Sequence, residues 1–493
     1  MDAFVSLFGG FGIALQPDNL IFLFMGCVLG LVIGVLPGLG GTSGVAILLP
    51  ISVFIARDHT ATTAIIFLAG IYWGALFGGV ITSILFNIPG EPWAVALLFD
   101  GYPLAKHKGK PGVALASSFF ASWVGAFFAT ILLTVLAKEL ADIALRFGAV
   151  ELFSIFILSF ATLIGLGAAS PIKAILMLAF GQTELLSGIG FVPVTIGLFG
   201  IGEIIANAEE AGIGNVEKIA AKVGLKDVFE TLGALKQRIW LVIFNGVLGF
   251  FFGSLPGHGA TPGSFLGYGL ARNWAKNKED FGKGEISGIM APQAAADASA
   301  VGAMVPMLSL GVPGSPTSAV LMAGLFIWGL QPGPLLFLDH PDFVWGLIAS
   351  IYIGHFITFL ICIIAVPWLA MIMRAPHGFL TPGIIIISII GSYSLNNSML
   401  DVALTVLFGI IGYWLRKMKY PLAPLVVALV LGKPAEEELR KALIGSHASW
   451  GVFLANPVSA VLLALAALLL LWPFIGRAVR RFRPPAIPTV PAE

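Results

Sequence analysis

Two stretches rich in glycine, proline and hydroxyl side chains are the places where this sequence could bind a ligand. Residues 34–44 (GVLPGLGGTSG, the first break) and 253–263 (GSLPGHGATPG, the second break) each interrupt a long apolar run. Glycine lets a ligand approach the backbone, and proline removes the donor from a helix carbonyl. Such a break can hold an anion at the N–H groups that begin the next helix, and a cation at the freed carbonyls. We expect substrate contacts from Gly38, Gly40, Gly41, Thr42, Ser43, Gly44, Gly257, Gly259, Ala260, Thr261 and Gly263.

Close packing of helices through small residues would be the alternative explanation of a single glycine-rich stretch. Two matched copies, each with proline and hydroxyl groups, favour a binding site instead. If sodium is used to drive transport, the expected place for the ion is near the backbone carbonyls of 37–44 and 256–263.

A Pro-Gly element follows each break. Residues 88–92 (IPGEP, the first Pro-Gly element) and 312–316 (VPGSP, the second) each end an apolar run abruptly. Matched interruptions in the two halves of a membrane chain point to a substrate site where two internal repeats meet. A simple kink in each helix is the alternative. The substrate contacts expected here are Asn87, Pro89, Gly90, Pro313, Gly314 and Ser315.

Three carboxylates lie in or beside apolar runs, where ionisable groups are costly and are therefore candidates for function. Asp297 could carry a proton or bind a cation, and a hydrogen-bonded structural role is the alternative. Glu91, in the first Pro-Gly element, could couple transport to an ion or simply cap a helix. Glu184 is the third coupling candidate. His355, on an apolar helix, is expected to be a buried histidine with satisfied hydrogen bonds.

The composition is that of a polytopic membrane protein. Of the 493 residues, 58% are hydrophobic and 11% are charged, and the mean hydropathy is +0.97. Average soluble domains carry about 25% charged residues. The apolar runs are continuous rather than alternating, which predicts spanning helices and not a barrel. We predict an all-α polytopic membrane protein with roughly 10–12 transmembrane helices plus re-entrant or broken helices.

Several other classes of protein are excluded. A net charge of +1 without a basic stripe argues against nucleic-acid binding. The sequence contains no Walker-type phosphate loop, zincin spacing or nucleophile elbow, so we expect no enzymatic activity. Cys27 and Cys362 each lie in an apolar run and form neither a disulfide framework nor a metal-ligand pattern. The only cofactor expected is a coupling ion, Na⁺ or H⁺.

The charges of the loops predict two repeats of opposite orientation. Lys106, Lys108 and Lys110 follow the first Pro-Gly element, whereas residues 331–342, after the second, contain no lysine or arginine. By the positive-inside rule, these equivalent loops lie on opposite faces of the membrane, and the C-terminus is cytoplasmic. The predicted division is an N-terminal membrane repeat (1–207), a cytoplasmic linker (208–238), a C-terminal membrane repeat (239–474) and a cytoplasmic tail (475–493).

The motifs resemble those of a known family. Residues 34–50 (GVLPGLGGTSGVAILLP), 280–299 (DFGKGEISGIMAPQAAADAS) and 311–324 (GVPGSPTSAVLMAG) are similar to stretches of the large membrane subunit of bacterial tripartite tricarboxylate transporters, the TctA family. The likeness extends over nearly the whole chain, including its layout in two halves. Gln293 and Ala296-Asp297 depart from the family pattern, in which a Glu and an Asn-Asn pair are frequent, and this leaves the coupling ion open.

The resemblance implies a multi-pass protein of the bacterial cytoplasmic (inner) membrane. Its implied partners are a small four-span membrane subunit and a periplasmic solute-binding protein that delivers a carboxylate. The implied activity is secondary active uptake of tri- or dicarboxylates such as citrate, driven by a sodium or proton gradient. The glycine-rich breaks are then the expected substrate region. The alternative is a channel or exporter for organic anions built from similar broken helices.

Overall fold

Helices form the framework of the protein. The computed structural model describes residues 2–36, 39–165, 171–181, 191–202, 205–206, 209, 222–255, 259–372, 377–396, 398–446 and 448–482. Within these residues no β-strand occurs, which confirms the all-α prediction for the described part of the chain. The predicted site residues Gly38 and Gly257 and the coupling candidate Glu184 lie outside the described residues.

The first half contains nine of the described α-helices and leads into a short π-helix at Ile196–Ile201. A single 3₁₀ turn at Pro92–Ala94 follows the first Pro-Gly element. The α-helices are α1 (Asp2–Ala14), α2 (Pro17–Val35), α3 (Gly41–Asp58), α4 (Ala61–Phe86), α5 (Val95–Lys106), α6 (Pro111–Ala144), α7 (Ala149–Gly165), α8 (Pro171–Gly181) and α9 (Phe191–Thr195).

A helix starts at Leu225, inside residues 208–238, which the sequence analysis predicts to be a linker. The helices of the second half are α10 (Leu225–Gly253), α11 (Ala260–Trp274), α12 (Ser287–Gly302), α13 (Met304–Leu310), α14 (Pro316–Ile327), α15 (Leu336–Asp339), α16 (Pro341–Ile372), α17 (His377–Asn396), α18 (Met399–Lys417), α19 (Ala423–Gly445), α20 (Val452–Ala455) and α21 (Pro457–Phe482).

Seven helices in the described part of the chain are long and apolar enough to cross a membrane. They are α2, α3, α4, α6, α10, α16 (through Met371) and α18. Shorter apolar segments occur at Ala3–Ala14, Ala149–Thr162, Pro316–Ile327 and Pro457–Leu471. The chain is therefore a multi-pass membrane protein.

Helix α4 lies at the centre of the protein, with its whole apolar window buried. Glycines of α2 permit the close approach of these two helices: a Cβ added to Gly30 or Gly34 would lie 2.2 Å from a carbonyl oxygen of α4. Asn87, the C-cap of α4, adopts the left-handed conformation and ends the helix directly before the first Pro-Gly element. The apolar run that the sequence analysis ends at the first Pro-Gly element thus also ends there in the structure.

The second half repeats this packing. Gly34, which begins the first break, faces the carbonyl of Ala75 in α4; Gly253, which begins the second break, faces the carbonyl of Ser299 in α12, at 2.0 Å from an added Cβ. A left-handed residue, Gly311, again ends the helix before the second Pro-Gly element. Two helices therefore pack through glycine directly before each break.

Three basic or mixed-charge segments lie on one face of the molecule. The Lys110 ammonium pairs with Glu230 at the start of α10, at 2.6 Å. The Lys108 ammonium donates to the carbonyl of Gly284, in the loop before α12, at 3.0 Å. The loop after α5, the beginning of α10 and the loop before α12 are thus neighbours.

Candidate substrate site

The first break presents the N-terminus of α3 to a carboxylate. Gly40 is the N-cap of α3 and Gly41 its first residue. The backbone N–H of Gly41 donates to Oε1 of Glu91, and the indole Nε1 of Trp93 donates to Oε2 at 2.7 Å. The amides of a first helical turn have no acceptor within the helix, and the helix dipole favours negative charge there. A half-buried carboxylate of the chain itself therefore occupies this helix start.

Glycine at 40 leaves room for the Glu91 carboxylate, and glycine at 41 leaves room for the ring of Tyr72. A Cβ added to Gly40 would lie 1.9 Å from Oε1 of Glu91. One added to Gly41 would lie 2.8 Å from the ring of Tyr72 in α4. The first break thus packs closely against the Glu91 side chain and against α4.

The second break meets the Pro-Gly element of its own half in the same manner. Gly259 has φ +61° and is the N-cap of α11, and its N–H donates to the carbonyl of Gly314 at 3.3 Å. A Cβ added to Gly259 would find its nearest neighbour, Cβ of Ser315, at 3.7 Å, so glycine is required here by conformation rather than by space. Ser315 accepts from the N–H of Ser318 at 3.1 Å and caps α14.

Residues in or directly after each break also contact the other half. The hydroxyls of Thr42 in α3 and Thr317 in α14 are 2.8 Å apart. The hydroxyl of Ser264 in α11 donates to the carbonyl of Trp93 at 2.9 Å. The Tyr72 side chain of α4 interacts with those of Ser315 and Thr317. The two breaks and the two Pro-Gly elements, which are far apart in the sequence, therefore converge at one junction.

The other predicted residues have different surroundings. Gly44 and Gly263 pack against neighbouring helices: an added Cβ would lie 3.2 Å from side-chain carbons of Ile33 and Ile71, or 2.5 Å from Oγ of Ser299. Their glycines are thus explained by close packing, and substrate contact by them stays a prediction. Among the rest, Ser43 and Pro313 are buried, Ala260 and Thr261 are half-buried, Asn87 and Pro89 are exposed, and Gly90 packs 3.1 Å from Cα of Gly79.

Asp297 is fully buried in α12, against α6. Its Oδ2 accepts from Oγ of Ser122 at 2.8 Å and from Nε2 of Gln293 at 2.6 Å, while Oδ1 has no hydrogen-bond partner.

His355 of α16 is buried, and the centre of its ring lies 4.6 Å from that of Trp73. Its Nδ1 bonds to the carbonyl of Ile351 at 2.9 Å, but its Nε2 has no partner. The prediction of a buried histidine with satisfied hydrogen bonds therefore holds for one of the two ring nitrogens.

Comparison with known proteins decides the family. A sequence model described as the tripartite tricarboxylate transporter TctA family matches residues 20–427. The chain belongs to this family. It is therefore the membrane component of a tripartite tricarboxylate transporter, a transport protein and not an enzyme.

Two curated relatives of this TctA-family chain come from Agrobacterium vitis. One, "Uncharacterized 52.8 kDa protein in TAR-I ttuC' 3'region", is 36% identical over 488 residues, 94% of this chain and 95% of the relative. The other, "Uncharacterized protein in TAR-II ttuC' 3'region", is 36% identical over 217 residues, 44% of this chain and 90% of the relative. No solved structure matches the chain.

The sequence analysis of this TctA-family chain missed Asp100. This carboxylate is fully buried at α5, where Oδ1 accepts from the N–H groups of Gly282, Gly284 and Glu285 at 2.8–2.9 Å, and Oδ2 accepts from the hydroxyl of Tyr268 at 3.0 Å. It ties α5 to the loop that carries the family-like stretch 280–299. The available signal was an acidic residue at the end of an apolar run, the criterion that selected Asp297.

The same loop is fixed a second time by Glu285. Its carboxylate pairs with Arg238 of α10 at 3.1 Å and accepts from the hydroxyl of Ser287 at 2.9 Å. Burial alone would raise the pKa of Glu285, but the hydrogen bonds from Ser287 and the pairing with Arg238 outweigh it and lower that pKa. Among the described residues, no group of three or more His, Cys, Asp or Glu side chains could hold a metal ion.

Proposed function

We propose that this TctA-family subunit imports tri- or dicarboxylates such as citrate, driven by a sodium or proton gradient and supplied by a periplasmic solute-binding protein. The observation that carries the proposal is the carboxylate of Glu91 on the N–H of Gly41. It is a carboxylate held at the same helix start that the sequence analysis assigns to the substrate. An acidic substrate would use the same kind of contact.

The chemistry of the junction supports an anion. Its helix starts, at Gly41 and Ala260, direct partial positive charge to the place where the halves meet. Hydroxyls of Thr42, Thr317 and Ser315 add donors. None of the residues in these contacts is a lysine or arginine, so the negative charge of a substrate would be balanced by amides, hydroxyls and an accompanying cation. Without such partners, desolvating a carboxylate would be prohibitive.

The contacts between the halves support alternating access. Each break touches the Pro-Gly element of its own half, and residues in or directly after each break touch the first helical residues after the Pro-Gly element of the other half. We infer two inverted repeats, with roughly 10–12 spans in all, that move relative to each other around the junction. The cytoplasmic placement of the loop after α5 and of the C-terminus follows from the loop charges. The small four-span subunit and the bacterial inner membrane are part of the same proposal.

Uptake into membrane vesicles tests the proposal. The full chain would be produced with its small membrane subunit, and uptake of labelled citrate would be measured with imposed sodium or proton gradients, with and without the binding protein. Gradient-driven uptake that needs the binding protein is expected. Uptake that ignores both would favour a channel for organic anions, and outward accumulation would favour an exporter.

A further inference from the structure

A cluster of buried oxygen atoms lies between α6 and α12. It is built around Asp297, whose Oδ2 is bonded by Ser122 and Gln293. The amide of Gln293 also donates to Oγ of Ser122, at 2.8 Å. The two helices approach closely beside the cluster, since a Cβ added to Gly125 would lie 2.6 Å from the carbonyl oxygen of Ala294. The cluster is therefore held by the packing of two long elements.

Three oxygens of the cluster have no hydrogen-bond partner. They are Oδ1 of Asp297, Oε1 of Gln293 and Oγ of Ser118, and all three residues are fully buried. Ser118 lies one helical turn before Ser122, so the two hydroxyls share a face of α6; Gln293 lies one turn before Asp297 on α12. Buried polar atoms without partners are uncommon in proteins, and an ion is one of the reasons for them.

The charge of the cluster calls for a positive partner. Both groups that bond to Asp297 are neutral. A buried carboxylate without compensation is costly, so it must gain either a proton or a cation. A proton on Asp297 would supply one donor, whereas three oxygens in this region have no partner. The number of free acceptors favours the cation.

The type of donor narrows the choice of cation. Hard cations take oxygen ligands, and a divalent ion beside a single carboxylate would leave a positive charge uncompensated in a buried site. No second acidic residue bonds to Asp297, and the described part of the chain has no cluster of three or more acidic, His or Cys side chains. One carboxylate with amide and hydroxyl oxygens suits a monovalent ion.

We propose that Asp297, Gln293, Ser118 and Ser122 bind a sodium ion, which drives the carboxylate uptake proposed above. The inference rests on that proposed function only for its coupling role. This position differs from the carbonyls of the breaks, where the sequence analysis expected sodium. Tyr72, which interacts with Ser315 and Thr317 at the start of α14, lies close enough to Asp297 to feel its charge.

Binding of sodium to the purified full chain in nanodiscs, without substrate, tests the site directly. A ligand that binds only the folded protein stabilises it by RT ln(1 + [L]/Kd). We expect the midpoint of thermal unfolding to rise with NaCl and to stay constant with choline chloride or KCl at equal ionic strength. Ser118→Ala removes only a hydroxyl without a partner, so it should fold and lower sodium affinity about tenfold, and Asp297→Asn should abolish the sodium effect.

The matched control is Ser159→Ala. Ser159 is also a fully buried helix serine, but its hydroxyl donates to the carbonyl of Ile155 in its own helix, so its loss should leave the sodium response unchanged. A wild-type midpoint equal in sodium and choline would overturn the site, as would an unchanged sodium response in Ser118→Ala. If uptake is driven by sodium but NaCl raises the unfolding midpoint of Ser118→Ala as much as that of the wild type, the site is rejected and the proposed function stands. Sodium binding without citrate uptake would reject the proposed function alone.

Discussion

The hydroxyl groups of Thr42 and Thr317 lie 2.8 Å apart, although the residues belong to opposite halves of the chain. Thr42 is in the first turn of α3, after the first break, and Thr317 is in the first turn of α14, after the second Pro-Gly element. Helices α3 and α14 therefore both begin where the two breaks and the two Pro-Gly elements meet. The pair therefore connects two helix starts that would have to separate, or rotate together, when the halves move.

A double-mutant cycle on this pair separates a structural bond from a substrate contact. Thr42→Val removes one of the two partners of the buried Thr317 hydroxyl, which still interacts with Tyr72, so the loss is that of one hydrogen bond, about 0.5–1.5 kcal/mol, and citrate uptake should fall. If the hydroxyls bonded only to each other, the Thr42→Val/Thr317→Val protein would recover, because both polar groups are gone. The proposed function predicts no recovery of the KM for citrate. Thermal unfolding of the same proteins reports the structural part, and a double variant with normal KM would remove both threonines from the site.

Substitution of Gly40 tests whether the first break must admit a carboxylate. In Gly40→Ala the new Cβ would overlap Oε1 of Glu91, which must leave the N–H of Gly41. A hydrogen bond to a charged group is worth about 1.5–3 kcal/mol, so we expect uptake to fall about 10–100-fold.

Two further glycines serve as comparison and control. Gly259→Ala has room for its Cβ, but φ +61° and ψ −158° form a conformation that almost only glycine adopts, at a cost of about 1–3 kcal/mol, so its effect should appear in stability as well. Gly233→Ala, in α10, has nothing within 4 Å of the new Cβ and should transport normally. Normal uptake by the Gly40 variant would show that the break is packing and not a site.

The break positions and the helix ends could be predicted because they depend on local sequence. Proline and glycine at 37–44 and 88–92 end helices wherever the rest of the chain lies, and Asn87 and Gly311 are the left-handed caps that such ends need. The convergence of the two halves followed from their matched order. The count of spans in the sequence analysis exceeds the seven long helices that the structure describes, since several apolar segments are short.

The partners of individual side chains could not be predicted. The acceptor for the Gly41 amide is Glu91, fifty residues along the chain, and the Asp100 donors lie in the other half. Sequence shows that a carboxylate near an apolar run needs a partner, but the partner is chosen by helix packing. For the same reason the sequence analysis could not select Ser118 and Ser122. They are ordinary small helix residues in the sequence, and only the packing of α6 against α12 brings their face of α6 to Asp297.

Labelling of introduced cysteines from one side of the membrane tests the opposite orientation of the two repeats. Cys27 and Cys362 are fully buried, so a cysteine introduced at Lys110 or Asp339 should be the main target of a membrane-impermeant maleimide. The loop charges predict that Asp339→Cys is labelled in intact cells and that Lys110→Cys is labelled only after the membrane is opened. Labelling of both from the same side would contradict the opposite orientation of the repeats.

Glu91→Gln tests whether the carboxylate at the start of α3 lies near the substrate. Glutamine retains an oxygen acceptor for only one of the two donors, the Gly41 amide or the Trp93 indole, and cannot carry a negative charge. Two unit charges about 6 Å apart repel by about 3 kcal/mol at an effective dielectric constant of 20, and solvent lowers this. We expect the KM for citrate to fall several-fold in the variant, measured at saturating binding protein. Glu230→Gln, which removes a charge at the start of α10, is the control, and an equal KM in both variants would place the substrate elsewhere.

Loss of the Asp100 carboxylate should release the loop before α12. In Asp100→Ala the N–H groups of Gly282, Gly284 and Glu285 lose their acceptor, and each buried donor left unpaired costs about 1–3 kcal/mol. Tyr268→Phe removes a single donor to the same carboxylate and should cost about 1.5–3 kcal/mol in total. The exposed lysines Lys276, Lys278 and Lys283 make trypsin a direct probe, because cleavage there requires the loop to open. Cleavage should be fastest in Asp100→Ala, slower in Tyr268→Phe and slowest in the wild type, and equal rates in all three would mean that Asp100 does not hold the loop.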